Sequence, residues 1–274
     1  MSKFFSVLIL PILLFASPLG ATERIISLKP NITEILYALG AEDQLVGVTT
    51  FCTRPPAAGK LPKVADYIRA NPEKILKLKP DLILASRENG SQKEIYFLMD
   101  RGISVELLSF GNFEEIKSSV SKLGRLLKKE AQAEQILKKM QEAIEQLKSQ
   151  AKNSPKRKTL WVVGYEPLVV VGGNNFIDDA GKLLNLENVA GKSSLKYPTY
   201  STEQMIRTAP EVIIDLAMGT ESSPEKRKEH MAWWQRFPSI PAVQNNKIIP
   251  FSMYEFRPVP QLPETLKELA KKIR

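Results

Sequence analysis

The chain has one cysteine, Cys52, and one histidine, His230, among 274 residues. A lone thiol cannot close an internal disulfide, so no disulfide framework holds this fold together. A lone histidine cannot build the multi-histidine cage of a zinc or manganese carrier. A G-x-S-x-G elbow, a P-loop and a G-x-G-x-x-G fingerprint are also missing. The nearest imitation, VGGNN at 171–175, lacks the lysine and threonine of a phosphate loop. These absences weigh against an enzyme and against a metal site. Cys52 is expected as a small buried residue near a strand end, with a contact in a ligand cleft as the other option. His230, beside Trp233 and Trp234, is expected as a surface or packing residue.

Long apolar runs are scarce as well. Only residues 4–15 form one, after Lys3, and Pro11 breaks it. It is shorter than the ~20 residues of a membrane span. Small residues follow up to Ala21, which reads as a secretory leader cleaved near that position. No cysteine stands at the end of the run to carry a lipid. Lys3 is the only charged residue before Glu23, so the net charge of +9 becomes +8 without the leader. The lysines, such as Lys128, Lys129, Lys138, Lys139 and Lys148, are spread over amphipathic helices. That argues for a solvated surface and against a nucleic-acid patch.

What is present is an alternation of strand and helix patterns. Strands are expected at 24–27, 45–51, 81–85 and 103–108, with helices at 31–39, 71–78 and 91–101. Asn31 and Glu34 have capping-box spacing. The stretch 53–63 reads as a proline-rich loop. From 112 to about 152 the pattern is almost purely helical, with no proline and, beyond Gly124, no glycine. The segment 131–152 would be ~33 Å long. Alternation then resumes: strands at 159–164, 168–171, 211–216 and 247–251, helices at 175–184, 201–207, 226–237 and 263–274.

The two halves share a written unit. NPEKILKLKPDLIL at 71–84 lies over STEQMIRTAPEVII at 201–214 with a constant offset of 130. Each has a capping residue, a glutamate (Glu73, Glu203), an apolar pair, a basic residue, a proline (Pro80, Pro210), an acidic residue (Asp81, Glu211) and three apolar residues. The expected fold is therefore α/β: two Rossmann-like lobes with parallel sheets, joined by a single long backbone helix. The expected boundaries are 1–21 for the leader, 22–127 for the N-terminal lobe, 128–153 for the connecting helix and 154–274 for the C-terminal lobe. Ligands of such proteins lie between the lobes, near the carboxyl ends of the strands.

RIISLKPNITEILYALG, LVGVTTFCTRPP, KVADYIRANPEKILKLKPDLILAS and FRPVPQ together resemble the periplasmic substrate-binding proteins of ABC importers for vitamin B12, ferric siderophores and haem. The resemblance covers essentially the whole chain after the leader. It is closest to the cobalamin-binding members, through Tyr67 before the NPE helix start. The usual FRPGPR-like ending has Val259 for glycine and Gln261 for arginine here.

The resemblance implies a periplasmic, monomeric carrier that delivers cobalamin or a related corrinoid to an importer, with haem or a ferric siderophore as the alternative. It needs no cofactor of its own. It also implies that Glu73 and Glu203 dock on arginines of the permease dimer, where two fixed carboxylates would set register. Without that partner, each glutamate simply favours its helix dipole. Tyr67 also stands where haem-binding members place an iron-coordinating tyrosine. Aromatic residues at element ends suit a large flat ligand: Tyr67, Tyr165, Phe176, Tyr197, Tyr200, Tyr254 and Phe256, any of which could instead pack its own lobe. Asn174 could bond peripheral amides. Arg87 and Arg257 could pair with anionic ligand groups or with surface carboxylates.

Overall fold

The computed structural model describes residues 24–66, 69–87, 92–219 and 222–273, and Tyr67 lies outside them. Two α/β lobes stand on either side of one long helix. In the N-terminal lobe, β1 (Ile25–Ser27), β2 (Leu45–Thr49), β3 (Lys63–Ala65), β4 (Leu82–Ser86) and β5 (Ser104–Leu108) form a parallel sheet of order β3-β2-β1-β4-β5. Alternation along the strands feeds two cores. Ile25, Leu82 and Leu84 face one side, where α1 (Pro30–Ala38) and α4 (Phe113–Leu126) pack. Ile26, Ile83 and Ala85 face the other, with α2 (Pro72–Lys77) and α3 (Gln92–Met99). Both faces are covered, which is why β4 reads as a continuous apolar run.

The connecting helix α5 (Glu130–Ala151) follows a turn in which Lys128 takes φ 57°. Ala133, Met140 and Ile144 pack into the N-terminal core, and Leu147 packs into the C-terminal one. Gly124 lets α4 lie against α5, since a Cβ there would sit 2.5 Å from Ala133 Cβ.

The C-terminal lobe is built on β6 (Arg157–Tyr165). Its sheet runs β10 (Ile248–Pro250), β9 (Val212–Asp215), β6, β7 (Leu168–Val170), and β8 (Leu186–Asn188) also pairs with β6. β7 is antiparallel and the other pairings are parallel. Trp161, Val212 and Ile214 face α6 (Phe176–Leu183) and α10 (Leu262–Ile273). Leu160, Val162 and Ile213 face α7 (Thr202–Thr208), α8 (Pro224–Trp234) and α9 (Pro241–Gln244).

The repeated unit is real in the backbone. Lys79 and Ala209, 130 residues apart, both take φ 46° just before their prolines. Asp81 Oδ2 accepts from the Arg24 N–H at 3.0 Å, and Glu211 Oε2 from the Lys158 N–H at 2.8 Å. The second carboxylate of each unit thus ties β4 to the start of β1, and β9 to the start of β6. One local expectation fails. Pro30 takes the first helical position of α1, so Asn31 falls inside the helix and is buried, and no side chain caps it. The expected capping box does not form, and Glu34 turns to a distant partner instead. The short strands β3 and β8 and the helix α9 are further additions to the expected elements.

Candidate functional site: a cleft between the lobes

A cavity of about 440 Å³ opens between the lobes. Its N-terminal wall includes Pro30, Asn31, Ser86 and Gly111, which lie at or just past the carboxyl ends of β1, β4 and β5. Its C-terminal wall includes Phe176, Tyr197, Phe256 and Arg257. An adjoining cavity of about 290 Å³ shares Pro30, Met253 and Arg257 and adds Phe51 and Tyr254. These volumes suit a sizeable organic ligand. A separate cavity of about 230 Å³ lies elsewhere, where the end of α5 meets the end of α10.

Each aromatic side chain of the wall has a local reason for its place. Tyr197 rides on a loop that leans on the VGGNN stretch. A Cβ on Gly172 would lie 2.0 Å from the Leu195 carbonyl oxygen, and one on Gly173 2.4 Å from that of Gly191. Asn175 caps α6 through the Ile177 N–H, and its amide donates to the Lys196 carbonyl at 3.0 Å. The two glycines therefore admit a neighbouring loop, and Tyr197 is left 45% exposed at its crest. Phe176 opens α6. Phe256 is buried against Trp161, Phe251 and Phe176, with ring centroids 5.4, 6.0 and 6.1 Å away, and forms the floor. Tyr254 is exposed, its ring 5.4 Å from the Arg257 guanidinium carbon.

Polar ties cross between the lobes. Arg54 donates to the Tyr254 carbonyl oxygen. Arg257 forms an ion pair with Glu34 of α1, and their side chains are only 11% and 18% exposed. Glu34 was not among the expected site residues. The pairing spans 223 residues, and no local pattern announces it.

Other expected site residues are placed elsewhere. Tyr165 is a correction: its hydroxyl donates to Asp215 Oδ2 inside the C-terminal lobe, and its ring stacks on His230 at 4.0 Å. Trp234 Nε1 reaches the same hydroxyl at 2.6 Å and Asp215 Oδ2 at 3.1 Å. Asp215 is fully buried, and burial first of all raises its pKa. Burial, then the Asp215 charge, likewise raises that of Tyr165. Tyr200 also packs into its own lobe, with its hydroxyl on the Val189 carbonyl at 3.4 Å. Arg87 and Asn174 are exposed and line neither cavity. Cys52 is buried, with Thr33 and Thr49 hydroxyls each 3.2 Å from its sulfur. Among the described residues no cluster of His, Cys, Asp and Glu is arranged to hold a metal ion.

Glu73 and Glu203 are exposed in the first turns of α2 and α7. Each of these helices runs back to the amino end of the strand that follows. Their first turns therefore point toward the carboxyl edge of the sheet, the edge that in the N-terminal lobe supplies the cleft wall.

A family model described as periplasmic binding protein matches residues 25–251. The chain belongs to that family. A vitamin B12-binding protein of Yersinia pseudotuberculosis is 31% identical over 242 residues, which are 88% of this chain and 85% of that protein. The crystal structure of the periplasmic vitamin B12 binding protein BtuF of Vibrio cholerae superposes with a TM-score of 0.81 at 25% identity, covering 92% of this chain and 97% of its own. A possible iron-binding periplasmic solute-binding protein from Staphylococcus epidermidis gives 0.80 at 28%, covering 93% and 99%. The fold, two α/β lobes with one long connecting helix, is shared with these structures.

Proposed function

We propose that this protein carries cobalamin or a related corrinoid through the periplasm to an ABC importer, gripping it between the lobes. The observation that carries the reading is the cleft itself: aromatic and apolar side chains from both lobes around adjoining cavities of about 440 and 290 Å³, at the carboxyl edge of the N-terminal sheet. The name borne by the 31% identical relative supports the corrinoid. The possible iron-binding neighbour at 28% identity favours haem or a ferric siderophore as the second reading.

In this account Phe176, Tyr197, Tyr254 and Phe256 supply contact area and stacking. Affinity comes from burying a large ring between preformed walls, at little cost of rearrangement. The solute is bound and released unchanged, with no covalent step, so the protein acts as a carrier and not an enzyme. The chain acts as a monomer, exported and cleaved near Ala21, with lobes at 22–127 and 154–274 and the brace at 128–153. Glu73 and Glu203 dock on the permease, one carboxylate per lobe. Tyr67, which precedes α2 in the sequence, would join the site.

Thermal unfolding with added ligand tests the reading. Cyanocobalamin at about 100 times its Kd stabilises by ~2.7 kcal/mol, which raises the Tm by roughly 5–10 °C. A rise with haemin and none with cyanocobalamin would move the conclusion to the second reading.

A further inference from the structure

We propose that the Glu34–Arg257 ion pair sets the charge selectivity of the cleft, so that it accepts a macrocycle with a neutral, amide-bearing rim and disfavours one that carries carboxylates. This rests on the cleft being the ligand site, as argued above. Arg257 is on the wall of both cavities. Its side chain is 11% exposed, and the Tyr254 ring lies beside it. A guanidinium so poorly hydrated is a strong carboxylate receptor. Here Nη1 of that receptor already holds a carboxylate. Glu34 reaches it from the opposite lobe, one helical turn beyond Pro30 and Asn31, which line the same cavity.

An anionic ligand that pairs with Arg257 either meets the like charge of Glu34 beside it, or displaces Glu34 and leaves a carboxylate with little access to water and no partner; both are costly. A neutral ligand meets no such obstacle. The two wall lysines, Lys29 and Lys196, have contacts of their own. The second tie, from Arg54 to the Tyr254 carbonyl, holds the same segment from the other lobe, so the wall keeps its place when Glu34 is neutralised. The sequence provides for this pairing locally as well. With Pro30 at the start of α1, Glu34 is released from any capping role.

The experiment compares ligands that differ in carboxylate charge, by fluorescence or calorimetric titration of wild type, Glu34→Gln, and Glu34→Gln/Arg257→Gln. Glutamine keeps the size of the side chain and an acceptor oxygen. Glu34→Gln is expected to tighten haemin binding by roughly tenfold. Cyanocobalamin should change by less than about threefold, since it presents no carboxylate to compete for Arg257. The double variant should lose the gain for haemin. For wild type, the dimethyl ester of haemin should bind more tightly than haemin in the same mixed solvent, a comparison that needs no mutation.

Equal weakening of both ligands by Glu34→Gln would reduce the pair to a lobe clamp and overturn the proposal. So would an unchanged haemin affinity, or tighter binding of haemin than of its ester by wild type. Failure of wild type to bind cyanocobalamin would instead overturn the corrinoid reading. The haemin ratio between wild type and Glu34→Gln would still decide the charge filter.

Discussion

The two lobes answer the same architectural demand with different interiors. β4 and β9 occupy equivalent places, 130 residues apart, yet the residue near the strand's end is Ala85 in one and Asp215 in the other, and both are fully buried. The N-terminal lobe closes this spot with a methyl group. The C-terminal lobe closes it with a carboxylate that needs the Tyr165 hydroxyl, the Trp234 indole and the Ala217 N–H, the last at 3.0 Å, to satisfy it. Meanwhile the frame outside the core has hardly diverged: the left-handed residue, the proline and the acidic tie at Asp81 and Glu211 recur. The duplicated frame holds the sheets in place, and each lobe was free to solve its own packing around it. The difference also explains Tyr165. Its ring stands at a strand end, where a cleft residue would be expected, but it is drawn inward by a buried acid that its own lobe acquired.

The largest expected effect concerns what the lobes still share on their surface. Reversing both charges, Glu73→Lys and Glu203→Lys, should leave ligand affinity unchanged and abolish uptake in a transport assay. Each single reversal should act alike, because each lobe offers one carboxylate. Normal uptake by the double variant would remove the docking role.

The interior comparison is broken by exchange of the two core residues. Ala85→Asp places an acid where no donors wait, and should cost at least about 4 kcal/mol in urea unfolding. Asp215→Ala strands the tyrosine and tryptophan donors, and should cost about 2–4 kcal/mol. The acid should also leave a pH signature. Its folded-state pKa is raised above the ordinary 3.8, chiefly by burial. Its stabilising contribution is therefore complete below pH 3.8 and is lost as pH rises through the raised value. Relative to Asp215→Asn, wild type should lose stability as pH rises above 3.8. A constant gap between the two would show that the donors offset burial, and a gain with rising pH that they outweigh it.

The smallest effect sharpens the likeness. Asp81→Ala and Glu211→Ala each remove a surface tie to the backbone of a neighbouring strand. Each should cost about 1 kcal/mol, and the two should agree within about 0.5 kcal/mol. A large disparity would mean that the repeat is closer in sequence than in mechanics.

Much of this could be read from the residues alone. The repeated unit was legible because a cap, a proline and three apolar residues are local signals. Phe176, Tyr197, Tyr254, Phe256 and Arg257 were legible as loop and strand-end residues, the positions where clefts form. Other features depend on distant partners. Glu34 looks like a capping residue until Arg257, 223 positions away, is placed beside it. Tyr165 and Tyr200 look like cleft residues until Asp215 and the Val189 carbonyl claim their hydroxyls. β3 has three residues and a broken register with β2, and it sits in a proline-rich stretch, too little for a periodic pattern. The turn at Lys128 carries neither glycine nor proline, yet the long helix expected from 128–131 onward begins there, at Glu130.

Hydrogen–deuterium exchange with and without cyanocobalamin tests the central claim most directly, because it reports both walls of the cleft at once. The account predicts protection in the segments around Asn31, Ser86 and Gly111 of one lobe and around Phe176, Tyr197 and Phe256 of the other, with α5 unchanged. Protection confined to one lobe, or centred on the cavity beside Leu147 and Ile273, would contradict it.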